Sequence, residues 1–337
     1  MVGIMNEELI KRLSEFSEEE KKILSGRGGK GKNKYAETPY PSVDRKELLT
    51  AGKLMQMHRH TRFVHYASQR RNYIEGIFMC RGKMTHWIGG QQIVLRQGDL
   101  LFVSPDAKQE ILPAGEGDIA VHFVLLPEFF NRIFKQMGEG ENLLRTFLIH
   151  YLCEEDEGNH YLHFQLEEAV PVLNLLENMI WMFTEKNLGG HTGIQTSMGL
   201  MFMLLTSYTD KLDLGEDAFE SNLMVCVLRY IEEYYQDGRL NDLCHLLGYN
   251  IYWLSRAIKK LTGKTYKELL QIKRLNQAAF LLLSTGTAIS DISLAVGYDN
   301  TSYFHRLFRE YYGLSPKEYR REHGKPSHGR ALSDREL

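Results

Sequence analysis

Apolar positions along this chain follow three different rhythms. Between Asn6 and Leu24, Leu9, Ile10, Leu13, Phe16 and Ile23 recur at helical spacing and predict one short amphipathic helix. From Leu54 to Leu126 the rhythm changes to short alternating runs at 54–58, 61–66, 72–80, 84–88, 91–95, 100–103, 108–112 and 118–126. Turns at Arg81-Gly82, Gly89-Gly90, Gly98-Asp99 and Gly115 to Gly117 separate these runs. Many short strands at this spacing predict a β-barrel or jelly roll. Helical spacing returns from 127 to 215. One helix starts at Pro127, one runs from Glu141 to Leu152, and two long ones run from Glu167 to Lys186 and from Thr192 to Leu212, with Tyr161 to Phe164 read as a short edge strand. The Gly/Lys run from Gly26 to Lys34 reads as a flexible linker, because the GK[ST] of a phosphate-binding loop is missing.

The third rhythm is a repeat. Asp242, Gly248 and Tyr249 match Asp291, Gly297 and Tyr298 at a spacing of 49 residues. Arg256, Gly263, Lys267 and Glu268 match Arg306, Gly313, Lys317 and Glu318 at 50. Each copy reads as a helix, a glycine turn and a second helix. The first copy's inward stripes are Leu243, Leu246 and Leu247, then Trp253, Leu254, Ala257, Ile258 and Leu261. In the second copy they are Tyr303, Phe304, Leu307, Phe308 and Tyr311. Gly263 and Gly313 stand where helices end, and Thr265-Tyr-Lys-Glu268 and Ser315-Pro-Lys-Glu318 are capping boxes that start the next ones. Between the copies, Tyr266 to Leu283 reads as one connecting helix carrying Leu269, Leu270, Leu275, Ala278, Ala279 and Leu282 for packing.

The outward face of each second helix carries the candidate chemistry. It offers Tyr252, Ser255, Arg256 and Lys259 in the first copy, and Thr301, Ser302, His305, Arg306 and Arg309 in the second. Short hydrogen-bonding groups around a guanidinium suit base edges in the major groove of double-stranded DNA, because Arg can meet guanine O6 and N7 together.

These residues resemble the DNA-binding domain of the AraC/XylS family of transcription regulators. Ile289, Asp291-Ile292, Ala295, Gly297-Tyr298, Ser302-Tyr303-Phe304, Arg306, Phe308-Arg309, Gly313, Ser315-Pro316 and Tyr319-Arg320 carry the likeness. Cys244-His245 and Ile258 depart from it. The stretch from Gly82 through Gly98-Asp99 to Pro105 is similar to the cupin barrel that precedes this domain in many such regulators. The resemblance implies an α+β multidomain chain. Residues 1–50 would be an N-terminal helix and arm, 51–126 a cupin-like effector-binding barrel, and 127–215 a helical linker and dimerisation segment. Residues 216–321 would be an all-α tandem helix-turn-helix domain and 322–337 a polar tail. It implies a DNA-binding activator that responds to a small-molecule effector such as a sugar, works as a homodimer and meets RNA polymerase, with no cofactor and no catalysis.

Within the barrel, His58, His60, Arg62, Tyr73, Glu75, Gln109 and His122 are the expected ligand-binding groups. Metal-binding cupins use an HxH pair, an acid and a later histidine. Here His58-Arg-His60 is present, but Gln109 takes the later position and is a poor transition-metal ligand, so no metal is expected.

Overall charge of −2 does not by itself suggest a nucleic-acid partner. Its distribution does more: from Asp217 onward there are 17 Lys and Arg against 14 Asp and Glu, and before it 24 against 29. Four cysteines without CxxC spacing read as reduced thiols, and with no signal peptide or 18-residue apolar run they predict a cytoplasmic protein without a membrane span. Two alternatives stay open: a ligand-independent regulator governed by protein contacts, and a metal-dependent cupin enzyme fused to a DNA-binding domain.

Overall fold

The structure is a computed structural model that describes residues 5–25, 36–37, 48, 53–130, 142–153, 160–185, 190–215 and 219–323. The chain divides into two compact units near Asn222–Leu223. The Gly/Lys run, the rest of the helix begun at Pro127 and the tail after His323 lie outside the described residues.

In the first unit the alternating runs form strands β1 (Ala36–Glu37), β2 (Met55–Arg59), β3 (Val64–Gln69), β4 (Ile74–Arg81), β5 (Lys83–Ile88), β6 (Gln91–Arg96), β7 (Asp99–Val103), β8 (Gln109–Ile111), β9 (Ile119–Leu125), β10 (Tyr161–Gln165) and β11 (Leu212–Asp213). They build two sheets, in the orders β1-β3-β8-β5-β6 and β11-β10-β7-β4-β9-β2. The core lies between them, where Tyr66, Met84, Ile93 and Ile111 of one sheet meet Ile77, Met79, Leu101 and Ala120 of the other. Central strand β4 is buried from Ile74 to Cys80. Its outer face takes bulky neighbours because Gly76 leaves room: an added Cβ would lie 2.9 Å from the Phe102 ring. Phe102 in turn packs on Phe202 of the helix Gly190–Leu205, with ring centroids 4.8 Å apart.

Three expectations are corrected here. The N-terminal stretch is two helices, Glu7–Ser14 and Glu18–Leu24. Ser17 starts the second one with a capping box to Glu20, which stops the first from running on. Strand β10 is not an edge, since it lies between β7 and β11. The helix read as ending at Leu212 stops at Leu205 and tightens into a 3-10 turn over Thr206–Lys211, where the Thr206 hydroxyl donates to the Met203 carbonyl at 2.7 Å.

The second unit consists of the helices Phe219–Tyr234, Leu240–Leu247, Ile251–Thr262, Tyr266–Ser284, Ile289–Ala295, Thr301–Tyr312 and Pro316–His323, preceded by residues 142–144. Gly248, Gly263, Gly297 and Gly313 all adopt positive φ, between 69° and 89°. Leu275, Ala278, Ala279, Leu282, Phe304, Phe308 and Tyr319 make one core, so the connecting helix Tyr266–Ser284 packs directly beneath the second copy.

The buried stripe of each second helix is narrower than the expected one. Leu254 and Ile258, and Phe304 and Phe308, are sealed one turn apart. Trp253 and Tyr311 flank that line, and each keeps more than a third of its surface in solvent. In the first helix of copy one, Leu246 points outward at 71% exposure and Cys244 takes the inward place.

Candidate functional site

Each reading helix begins and ends in the same way. Asn250 caps Ile251–Thr262 by accepting from the Tyr252 amide at 2.9 Å, and Asn300 caps Thr301–Tyr312 by accepting from the Tyr303 amide at 2.9 Å. Gly263 and Gly313 close them in the left-handed conformation. With both ends fixed and the 254/258 and 304/308 edges buried, the opposite edges are presented outward. Tyr252, Arg256 and Lys259 are exposed, as are Ser302, Arg306 and Arg309, while Ser255, Thr301 and His305 are half-buried. The nine expected DNA-facing residues therefore all reach the surface of this unit.

The two reading arginines are held differently. Arg256 Nε donates to the Tyr252 carbonyl of its own helix at 3.2 Å. The Arg306 guanidinium lies over the ring of Tyr303, 5.2 Å from its centroid. The Tyr303 hydroxyl accepts from Gln271 Nε2 of the connecting helix at 3.1 Å.

In the first unit a hydrogen-bonded chain runs through the space between the sheets. His60 Nδ1 meets His122 Nε2 at 3.0 Å, and His122 Nδ1 meets Glu75 Oε1 at 3.0 Å. Glu75 Oε2 pairs with Arg71 at 3.0 Å, Arg71 donates to Gln109 Oε1, and Gln109 Nε2 donates to His86 Nδ1 at 3.0 Å. The rings of His58 and His60 each stack on that of His122, with centroids 5.1 Å away. Tyr73 joins through a side-chain hydrogen bond to Arg71. Burial, and then the neighbouring His122, push His58 down to about 3 and His60 well below its ordinary value; burial does the same to His86, which falls to about 3. These imidazoles are neutral at pH 7, and the Arg71–Glu75 pair balances its own charge.

The donor order fixes what is left over. Since Gln109 gives its N–H to His86 Nδ1, His86 carries its proton on Nε2. His60 Nδ1 is taken up by the contact with His122, which leaves its Nε2 as the second ring nitrogen to account for. Both Nε2 atoms are buried and, among the described residues, have no hydrogen-bond partner. The chain of residues thus presents a donor at His86 Nε2 and a second buried ring nitrogen at His60 Nε2.

Residues 243–322 match the helix-turn-helix domain family. The chain is 33% identical over 94 residues to the transcriptional regulator YisR of Bacillus subtilis, covering 28% of this chain and 33% of that protein. It is 31% identical over 106 residues to the regulatory protein PocR of Salmonella typhimurium, covering 31% and 35%. Residues 243–322 are thus similar to the helix-turn-helix domains of these transcription regulators. The matched stretch spans about a third of the length of those two curated relatives. The transcriptional activator PerA of Escherichia coli is 25% identical over 148 residues, covering 44% of this chain and 53% of that one. Among solved structures, the C-terminal domain of the response regulator yesN from Fusobacterium nucleatum aligns at 33% identity and TM-score 0.28, covering 29% of this chain and 98% of that one. Fatty-acid-bound ToxT from Vibrio cholerae aligns at 14% identity and TM-score 0.34, covering 79% and 94%.

The helix-turn-helix domain contains every residue expected to face DNA. The expected ligand set divides. His58, His60, Tyr73, Glu75, Gln109 and His122 come together in the polar chain. Arg62 does not: it is buried against the N-terminal helices. Its Nε and Nη2 hold Glu20 at 2.7 and 3.0 Å, and its other bonds go to the Ser14 and Glu116 carbonyls. Glu20 sits 42 residues earlier and matches Arg62 in charge and burial, which is why the guanidinium turns that way. Two members escaped sequence reasoning. His86 alternates with the buried Met84 and Ile88 on β5, a period-2 signal that would have found it. Arg71 lies before β4 and carries no periodic signal. Among the described residues, no group of three or more His, Cys, Asp or Glu is arranged to hold a metal ion, and no helix is long and apolar enough to cross a membrane.

Proposed function

We propose that this chain is a sequence-specific DNA-binding transcription regulator whose first unit binds a small, uncharged effector. The observation that carries the reading is the duplication. Two capped helices, each following a left-handed glycine turn, each display an arginine among short polar groups, and a partly buried 19-residue connecting helix joins them. A guanidinium flanked by hydroxyls can read a G·C pair, and two such helices can read successive major-groove segments.

For the effector, the buried Nε2 atoms of His60 and His86, beside the Arg71–Glu75 ion pair, favour a hydroxyl- or carbonyl-bearing molecule over an ion. Binding needs only to favour one of two states of the protein, so no catalysis is required. The helix Gly190–Leu205 leaves Leu200 and Met203 exposed one turn apart, which supports pairing with a second copy. Activation through contact with RNA polymerase and action in the cytoplasm follow from the same family reading.

The test is selection of duplexes from a random pool by the full chain, followed by a thermal-shift screen of neutral metabolites. Recovery of one motif, plus a metabolite that raises the melting temperature, supports both halves. A pool that stays random after selection rejects the DNA reading. A ligand at about 100 times its Kd adds about 2.7 kcal/mol, so a flat screen rejects the effector reading in favour of control by protein contacts.

A further inference from the structure

The second reading helix is supported from the connecting helix. Gln271 lies on the connecting helix, donates to the Tyr303 hydroxyl at 3.1 Å, and so fixes the ring that carries Arg306 at 5.2 Å. Tyr303 is held from another side by Tyr298, whose ring centroid is 6.1 Å away. Tyr298 is itself buried, and the Arg274 guanidinium lies 5.3 Å from its ring centroid. Tyr303 is thus set in place by two residues of the connecting helix, one directly and one through a neighbour. In the first copy the position of Tyr303 is Trp253, which packs on Tyr249 with centroids 4.6 Å apart, while Arg256 is tied to its own backbone.

We infer that Gln271 and Tyr303 are positioning residues for Arg306, so that base discrimination by the second reading helix is set from the connecting helix. An exposed arginine loses much rotamer freedom when it docks on a base edge. A ring beneath the guanidinium spends part of that loss before DNA arrives, because the planar group stacks while its N–H edge stays free to bond. Tyr303 does not face the bases itself. It acts through Arg306, and Gln271 acts through Tyr303. The inference rests on the DNA-reading function proposed above.

The experiment uses the full chain and a duplex selected by it. Affinities are measured at one fixed salt concentration for every single base-pair substitution of that duplex and for random DNA. The variants are Arg306→Ala, Tyr303→Leu, Tyr303→Trp, Tyr303→Phe and Gln271→Leu. Tyr303→Leu should lower discrimination about threefold or more, the scale of a surface cation–π contact, at the base pair that responds to Arg306→Ala. Other base pairs and random DNA should be unaffected, and Tyr303→Trp, which keeps a π face, should restore the preference. Tyr303→Phe and Gln271→Leu should give a smaller loss at that same base pair. The double variant Tyr303→Leu with Arg306→Ala should be no worse than Arg306→Ala. Uniform weakening across all base pairs, additivity in the double variant or unchanged discrimination overturns the inference while leaving DNA reading intact. If Tyr303→Leu does not fold, Tyr303→Phe and Gln271→Leu decide in the same way. A wild-type chain that selects no sequence overturns both.

Discussion

Arg274 Nη1 donates to the carbonyl of Gly297 at 2.8 Å. The same guanidinium donates through Nε to Tyr235 O at 2.6 Å and through Nη2 to Gln236 O at 2.7 Å. One side chain of the connecting helix therefore joins the end of Phe219–Tyr234 to the turn before the second reading helix. Three charge-assisted bonds in a fixed fork are something lysine cannot reproduce. Arg274→Met should lower stability by about 2–3 kcal/mol, and Arg274→Lys should recover less than half of that loss. Denaturant midpoints check it, and full recovery by lysine would contradict the fork geometry.

The two turn glycines differ, although the repeat makes them equivalent. An added Cβ at Gly248 would meet nothing within 4 Å, whereas at Gly297 it would lie 2.3 Å from Gln236 O and 3.0 Å from the Arg274 guanidinium. Gly248→Ala should cost only the left-handed backbone penalty, about 1–2 kcal/mol. Gly297→Ala carries that penalty plus displacement of backbone and of Arg274, and should exceed it by about 2 kcal/mol or more. Equal losses in parallel thermal melts would refute the close approach.

The polar chain in the first unit makes stability depend on pH with a definite sign. His58, His60 and His86 are depressed in the fold below an unfolded value near 6.5. Above pH 6.5 both states are neutral and the full stability is present. As pH falls from there towards about 3, where His58 and His86 titrate in the fold, the unfolded chain takes up protons that the folded chain refuses. Each imidazole then costs about 1.4 kcal/mol per pH unit. Melting temperature should fall steeply between pH 6.5 and 4.5. His86→Gln should make the fall shallower, whatever it does at pH 7. A profile flat through pH 4.5 would show that these rings are not buried neutral.

Arg62 and Glu20 bind the N-terminal helices to the sheets through a pair of which only 4% and 3% of the side-chain surface is exposed. The Phe16 ring also lies against the guanidinium, its centroid 4.7 Å away. Burial works against the Glu20 charge, yet hydrogen bonds from Arg62 and the Ser17 amide hold its carboxyl below the usual carboxylate range. Glu20→Gln strands a buried cation and should cost about 3–5 kcal/mol. Limited proteolysis should then cut within residues 5–25 first, and an unchanged cleavage pattern would contradict the clamp.

What the sequence disclosed tracks how local each signal is. Glycine turns, the capping boxes at Thr265 and Ser315, and the outward arginines are written within a few residues of where they act, so the tandem unit was legible almost residue by residue. The strands were legible because alternation needs only its own run. Pairings across long separations were not. Arg62 reads as a pocket residue until Glu20, 42 positions away, is placed against it. Arg71 and Arg274 acquire roles only from distant carbonyls and carboxylates. Leu246 satisfied a helical stripe on paper but lies outside, because an eight-residue helix buries little more than Leu243 and Cys244.

In the proposed function, Arg256 and Arg306 read separate base pairs. The most direct test is the affinity of Arg256→Ala and Arg306→Ala full-length chains for a selected duplex, its single base-pair variants and random DNA. Each substitution should remove about 1–3 kcal/mol of discrimination at one base pair, the two base pairs lying about one helical turn apart, with random DNA bound nearly as before. Equal losses on selected and random DNA, or losses at the same base pair for both arginines, would contradict it.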